Sequence, residues 1–218
     1  MLSEAVIQAL LAAGIMLLIG FPIHEFSHAF AAYRLGDSTA RWQGRLSLDP
    51  RVHFDPIGGL MLILGAVLTG GHFFLGWAKP TPVNPYNLRY GRRGEAIVAA
   101  AGPVSNLIMA AAVAVPVRLI NTTPELFVAV GSNNVSAFLF NVAEFFVAIN
   151  VFLMIFNLLP IPPLDGWRVL MGLVDARTAY TLRQYEQYGF LLLVILLVAG
   201  GGIVGNLAFP LISFLLGR

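Results

Sequence analysis

From Ala5 to Ala32 the chain carries no Asp, Lys or Arg, and its only ionisable side chains are His24, Glu25 and His28. As a helix rising about 1.5 Å per residue, this run is long enough to cross the roughly 30 Å hydrocarbon layer of a bilayer. Lipid offers the backbone no hydrogen-bond partners, so the segment must satisfy itself, as a helix does. Met1-Leu2-Ser3-Glu4 lacks the positive start of a signal peptide, so the run reads as a retained membrane helix ending near Arg34-Leu35-Gly36.

Further helical membrane candidates follow at 95–117, 137–158 and 188–216, the last interrupted by Gly200-Gly201-Gly202. Residues 57–77 are apolar but broken by Gly58-Gly59, Gly65 and Gly70-Gly71. Only 11% of the chain is charged, whereas soluble domains approach about 25%. A soluble enzyme, a disordered chain and a nucleic-acid binder are thereby excluded. There is no Cys, hence no disulfide, thiolate metal site or Cys nucleophile. Residues 37–56 turn polar, and the rough alternation around Gly44 predicts a small β-hairpin there. Residues 78–94 read as a Pro/Asn loop, and 164–187 as an amphipathic, interfacial stretch. The expected fold is an all-α polytopic membrane protein. It has about four transmembrane helices, a re-entrant hairpin at 57–77 and the β-hairpin near 37–56. It forms a single integral-membrane domain over 1–218, with a catalytic core at about 5–175.

His24-Glu25-Phe26-Ser27-His28 puts two imidazoles at i and i+4 on one helix face, with Cβ atoms roughly 5–6 Å apart. Both ring nitrogens can then reach one ion at about 2.0–2.1 Å. Glu25 sits one residue round from His24, where it can take a proton rather than join the ligands. The bland alternative is that all three groups snorkel at a helix end. Each ionisable group at mid-bilayer costs about 2.5–3.5 kcal/mol, which favours a functional reading of three in five positions. Two histidines and a water leave four-coordinate zinc one ligand short. Asp165, Glu144, His53 and His72 are the candidates. Asp165 follows Pro160-Ile161-Pro162-Pro163-Leu164, where prolines end the preceding helix, and Gly166 permits a sharp turn.

The His24–His28 motif, taken with Asn157-Leu158-Leu159-Pro160-Ile161-Pro162-Pro163-Leu164-Asp165-Gly166, resembles the site-2 protease family of intramembrane zinc metalloproteases. Ala101-Gly102-Pro103-Val104-Ser105-Asn106 resembles that family's small-residue helix motif. The resemblance spans residue 21 to about 170 and is to the compact branch without PDZ or CBS domains. It implies that His24, His28 and Asp165 bind one Zn2+ and that Glu25 is the general base. It also implies that Asn157 lies beside the metal, steadying the substrate carbonyl or oxyanion, with Asn106 at a nearby helix position. The implied activity is hydrolysis of peptide bonds within or near transmembrane segments. The implied partners are membrane-protein substrates and the lipid bilayer. A substrate helix must unwind first, because its amides are already paired. The 37–56 hairpin is expected to offer it an edge strand. A metal transporter is the rival reading, but no internal symmetry links two halves of the chain. A catalytically inactive relative is the other, against which the intact Glu25 argues.

For the three motifs to share one face, the first helix goes up, 95–117 down and 137–158 up. Residues 57–77 then enter and leave on one side. Eleven of the 13 Lys and Arg fall on the motif side, with Arg118 and Arg218 opposite, whereas a full crossing by 57–77 would split them seven to six. Only the first arrangement obeys the positive-inside rule, which predicts four crossings and a site facing the cytoplasm; the expected location is the plasma membrane.

Overall fold

The computed structural model describes residues 4–68, 76–199 and 201–218, and among these no strand forms. The first apolar run makes α1 (Glu4–Ile15) and α2 (Phe21–Arg34), joined without a break by a π turn at Met16–Gly20. Pro22 explains the widened turn. It lacks an N–H, and in an α ladder its ring would crowd the carbonyl four residues back. Just ahead of it the ladder relaxes, and the Phe21 N–H donates to Met16 O, five residues back. α2 stops at Gly36, whose φ of +107° lies where glycine is favoured.

The polar stretch after α2 contains no hairpin. It forms two short helical turns, α3 (Thr39–Trp42) and α4 (Pro50–His53). Local side-chain hydrogen bonds outweigh the alternation. Asp37 accepts hydrogen bonds from the N–H and Oγ1–H of Thr39 at 3.0 and 2.6 Å, and Asp49 accepts the Arg51 N–H at 3.0 Å. An edge strand for substrate is therefore absent from 37–56.

α5 (Pro56–Leu68) opens the Gly-broken segment and packs along α1. Residues 69–75, with His72, lie outside the described residues. The chain reappears where it left. A Cβ on Gly58 would collide with Trp77 O, and the Lys79 N–H donates to His53 O at 2.8 Å. Residues 57–77 thus depart from and return to one place.

The chain divides into two compact units, Met1–Gly102 with Arg168–Asp175, and Pro103–Trp167 with Ala176–Arg218. α6 (Arg92–Thr122) contributes to both. In the first unit, Ala32, Leu88 and Val98 form a small core, and residues 76–84 run without regular structure as a strap. The rest of the chain supplies α7 (Pro124–Gly131), α8 (Asn134–Leu158), α9 (Asp165–Leu173), α10 (Ala176–Arg183), α11 (Gly189–Ala199) and α12 (Gly201–Leu216).

The core of the second unit is Ala110, Ala114 and Val117 of α6 against Val147 and Val151 of α8 and Ala208 and Leu216 of α12. Small residues let these backbones approach closely, as membrane helices require. On the other side of α6, Val104, Ile108, Val115 and Leu119 are exposed at helical spacing, an apolar stripe suited to lipid. The start of α11 lies at the Pro162 end of α8, where a Cβ on Gly189 would meet Pro162 Cβ at 2.6 Å. The end of α12 lies beside the last turn of α6 and Glu144, near the middle of α8. There Asn121 donates to Glu144 Oε1 at 3.1 Å and to Leu216 O at 3.0 Å, and Arg218 pairs with Glu144.

Three helices, Ala13–Arg34, Arg92–Thr122 and Asn134–Leu158, are long and apolar enough to cross a bilayer. Shorter apolar helices add to them, and the chain is a multi-pass membrane protein.

Candidate metal centre

One turn of α2 sets His24 and His28 on the same buried face. Their Nε2 atoms are 3.0 Å apart, and the rings meet edge to face with centroids 4.6 Å apart. The Val98 carbonyl of α6 accepts a hydrogen bond from His28 Nδ1–H at 2.8 Å. That contact fixes the tautomer and leaves a lone pair on Nε2, the arrangement that orients metal-binding histidines.

Two nitrogens bound to one zinc at about 2.0–2.1 Å stand roughly 3.3 Å apart, close to the separation here. Donor atoms of His24, Glu25 and His28 all lie within 4.8 Å of one another. Gly102 of α6 backs this cluster. A Cβ there would come within 2.6 Å of His24 Nε2 and closer still to His28 Nε2. The residues present therefore fit a metal ion, in a cradle kept open by a missing side chain.

Glu25 is held from the strap. The Thr81 N–H donates to Glu25 Oε2 at 2.8 Å, and Thr81 Oγ1–H donates to the Glu25 carbonyl at 3.0 Å. The strap is fixed on either side of this point. Arg45 donates to Lys79 O at 3.3 Å. The fully buried Asp37 carboxylate accepts the Asn84 N–H at 2.7 Å and Asn87 Nδ2–H at 3.0 Å. Burial alone would raise the Asp37 pKa, but hydrogen bonds from Thr39, Asn87 and Asn84 outweigh it and hold the group below the usual carboxylate value.

In the second unit, Asn157 lies in the last turn of α8 and donates one Nδ2 proton to Leu153 O at 2.9 Å, keeping its second amide proton. A Cβ on Gly166 would collide with Leu158 O, so Asp165-Gly166 turns tightly against the end of α8. Asp165 opens α9, where the helix N-terminus favours a carboxylate. Asn106 is wholly buried in α6.

The structure thus gathers His24, Glu25 and His28 within the first unit, and brings Asp165 to the Asn157-bearing end of α8 within the second. Of the rival ligands, Glu144 is bound to Arg218 and Asn121, and His53 donates Nε2–H to Ser47 O at 2.7 Å. Sequence reading missed Thr81 and Asp37. The signal for Thr81 is its place between Pro80 and Pro82, which leaves it the only N–H in a three-residue run.

Residues 121–200 match the model of Peptidase family M50. YwhC of Bacillus subtilis, named as a zinc metalloprotease, is 37% identical over 187 residues, covering 84% of this chain and 78% of that protein. Rip2 of Mycobacterium tuberculosis, also named as a zinc metalloprotease, is 30% identical over 204 residues, covering 91% of this chain and 73% of that protein. No solved structure matches the chain at a significant level. By its His-Glu-x-x-His helix and its similarity to these proteins over most of their length, the chain belongs to peptidase family M50, the site-2 protease family.

Proposed function

We propose that the protein is a zinc-dependent intramembrane endopeptidase that cuts peptide bonds within or near the transmembrane segments of other membrane proteins. The observation that carries this reading is the convergence of His24 and His28 Nε2 over Gly102 in an apolar helix, with the Glu25 carboxylate beside them. His24 and His28 would hold the zinc, and Asp165 is the third protein ligand in this reading. The preference for Asp165 over Glu144 is supported by the Arg218 and Asn121 contacts that already engage Glu144. Bound zinc supplies a Lewis acid that activates water near pH 7 and polarises the scissile carbonyl.

Glu25 takes the proton from the attacking water and delivers it to the leaving amine. Asn157 uses its remaining amide proton to steady the developing oxyanion, and Asn106 lines the α6 side of the site. The apolar surroundings exclude bulk water and strengthen each of these interactions. The residues act as one integral-membrane domain over 1–218, with the catalytic core at about 5–175. We place it in the plasma membrane with four crossings, α5 re-entering rather than crossing, and the site open to the cytoplasm. The meeting of Gly58 with Trp77 and the distribution of the 13 Lys and Arg support that topology.

The test is cleavage of tagged single-span proteins co-expressed with the wild type or with Glu25→Gln. Cleavage should vanish in Glu25→Gln while the purified variant keeps its zinc. Asp165→Ala should lose zinc and Glu144→Ala should not. Zinc loss from Glu25→Gln without unfolding would overturn the role given to Glu25.

A further inference from the structure

Thr81 lies far from the histidine motif in sequence, yet it makes two hydrogen bonds to one residue of that motif, with its N–H to Glu25 Oε2 at 2.8 Å and its Oγ1–H to the Glu25 carbonyl at 3.0 Å. The pair works as a clamp, since the hydroxyl fixes the register of the strap against α2 and the N–H fixes the carboxylate. The flanking residues suit this use. Pro80 and Pro82 have no N–H to offer a competing partner, and their fixed φ limits how far the segment can shift. The strap is pinned at Lys79 and at Asn84, and between these points the Thr81 hydroxyl sets how its N–H meets Glu25.

We propose that Thr81 is the positioning residue for Glu25, holding Oε2 so that Oε1 is the oxygen that receives and returns the proton. A glutamate side chain otherwise samples many rotamers, and general-base transfer needs its oxygen within hydrogen-bond reach of the proton it removes. The clamp supplies that orientation before substrate arrives, and misplacement of a catalytic group by about 1 Å is enough to cost about 100-fold in rate.

This inference rests on the reading of Glu25 as the base, so Glu25→Gln accompanies it. The experiment measures kcat, KM and zinc per chain for purified wild type, Thr81→Val, Thr81→Ser and Glu25→Gln on one cleavable single-span substrate. Thr81→Val keeps the N–H but loses the hydroxyl bond that sets its register, so it should lower kcat about tenfold or more, with KM and zinc content within about twofold of wild type. Thr81→Ser, which keeps the hydroxyl, should restore kcat to within about twofold. A merely structural Thr81 would lower zinc content and active fraction together and would leave the kcat per zinc unchanged, which overturns the proposal. So does a Thr81→Val enzyme with wild-type kcat while Glu25→Gln is inactive. An active Glu25→Gln enzyme would instead remove the reading of Glu25 on which the proposal stands.

Discussion

Gly102 is a residue whose work is done by what it lacks. An alanine there would improve α6 as a helix by roughly 1 kcal/mol, since glycine is the poorer helix former. It would also set a methyl group into the space facing both histidine Nε2 atoms. The two effects are separable. Gly102→Ala is expected to stay folded, with unchanged helicity by circular dichroism, and to lose zinc affinity by about tenfold or more with its cleavage activity. Metal analysis after dialysis against a graded chelator checks this, and a fully zinc-loaded alanine variant would show that α6 yields at this point. Asp37 makes a second residue-scale case. Its lowered pKa means that its bonds to the strap stabilise the fold above the ordinary carboxylate value and are lost as pH falls through the lower folded value. Melting temperature should therefore drop as pH goes below about 4, and Asp37→Asn should show a flatter profile. At neutral pH that variant should be destabilised by about 1–3 kcal/mol, because a buried acceptor set is left mismatched.

At the scale of elements, the sequence was most readable where one demand dominated. Twenty or more apolar residues have to be helical in lipid, so the long spans could be placed from composition alone. The meeting of His24 and His28 on one face could be read because i, i+4 is the helical spacing. The end of α8 before Asp165 could be read because prolines announce where a helix stops. The polar 37–56 stretch could not be read this way. Its alternation was weak, and a strand needs a partner that local sequence does not name. What decided it was Asp49, which caps α4, and Asp37, which accepts the Thr39 N–H where α3 begins. The strap was equally hidden, since the meeting of Thr81 with Glu25 depends on how the chain returns after α5. The π turn was written in Pro22, which a pattern of apolar residues passes over. Its removal is testable. Pro22→Ala restores the missing N–H and permits an ordinary α ladder through Met16–Gly20. That would rotate α2 against α1, so cleavage should fall although the helix itself becomes easier to form. Cleavage assays with zinc analysis separate this from loss of the metal.

For the whole molecule, the chain has no native Cys, so single cysteines report sidedness cleanly. Cysteines at the exposed Trp42 and Tyr86 and at Arg177 should react with an impermeant reagent from the cytoplasmic side, and one at Thr123 only from outside. Trp42 and Tyr86 labelled from opposite faces would make 57–77 a crossing and undo the shared face on which the proposed site depends. Arg218, paired with Glu144 near Asn121, belongs with Thr123 in this scheme. The meeting of Gly58 with Trp77 carries one more consequence. A segment whose two ends touch has a neck, and whatever lies beyond the neck can change in length without altering the path of the remaining chain. A neck of this kind lets a short insertion after Leu68 leave the Thr81 contact to Glu25 in place, while α5 itself stays fixed by its packing along α1 and by the fully buried Leu62.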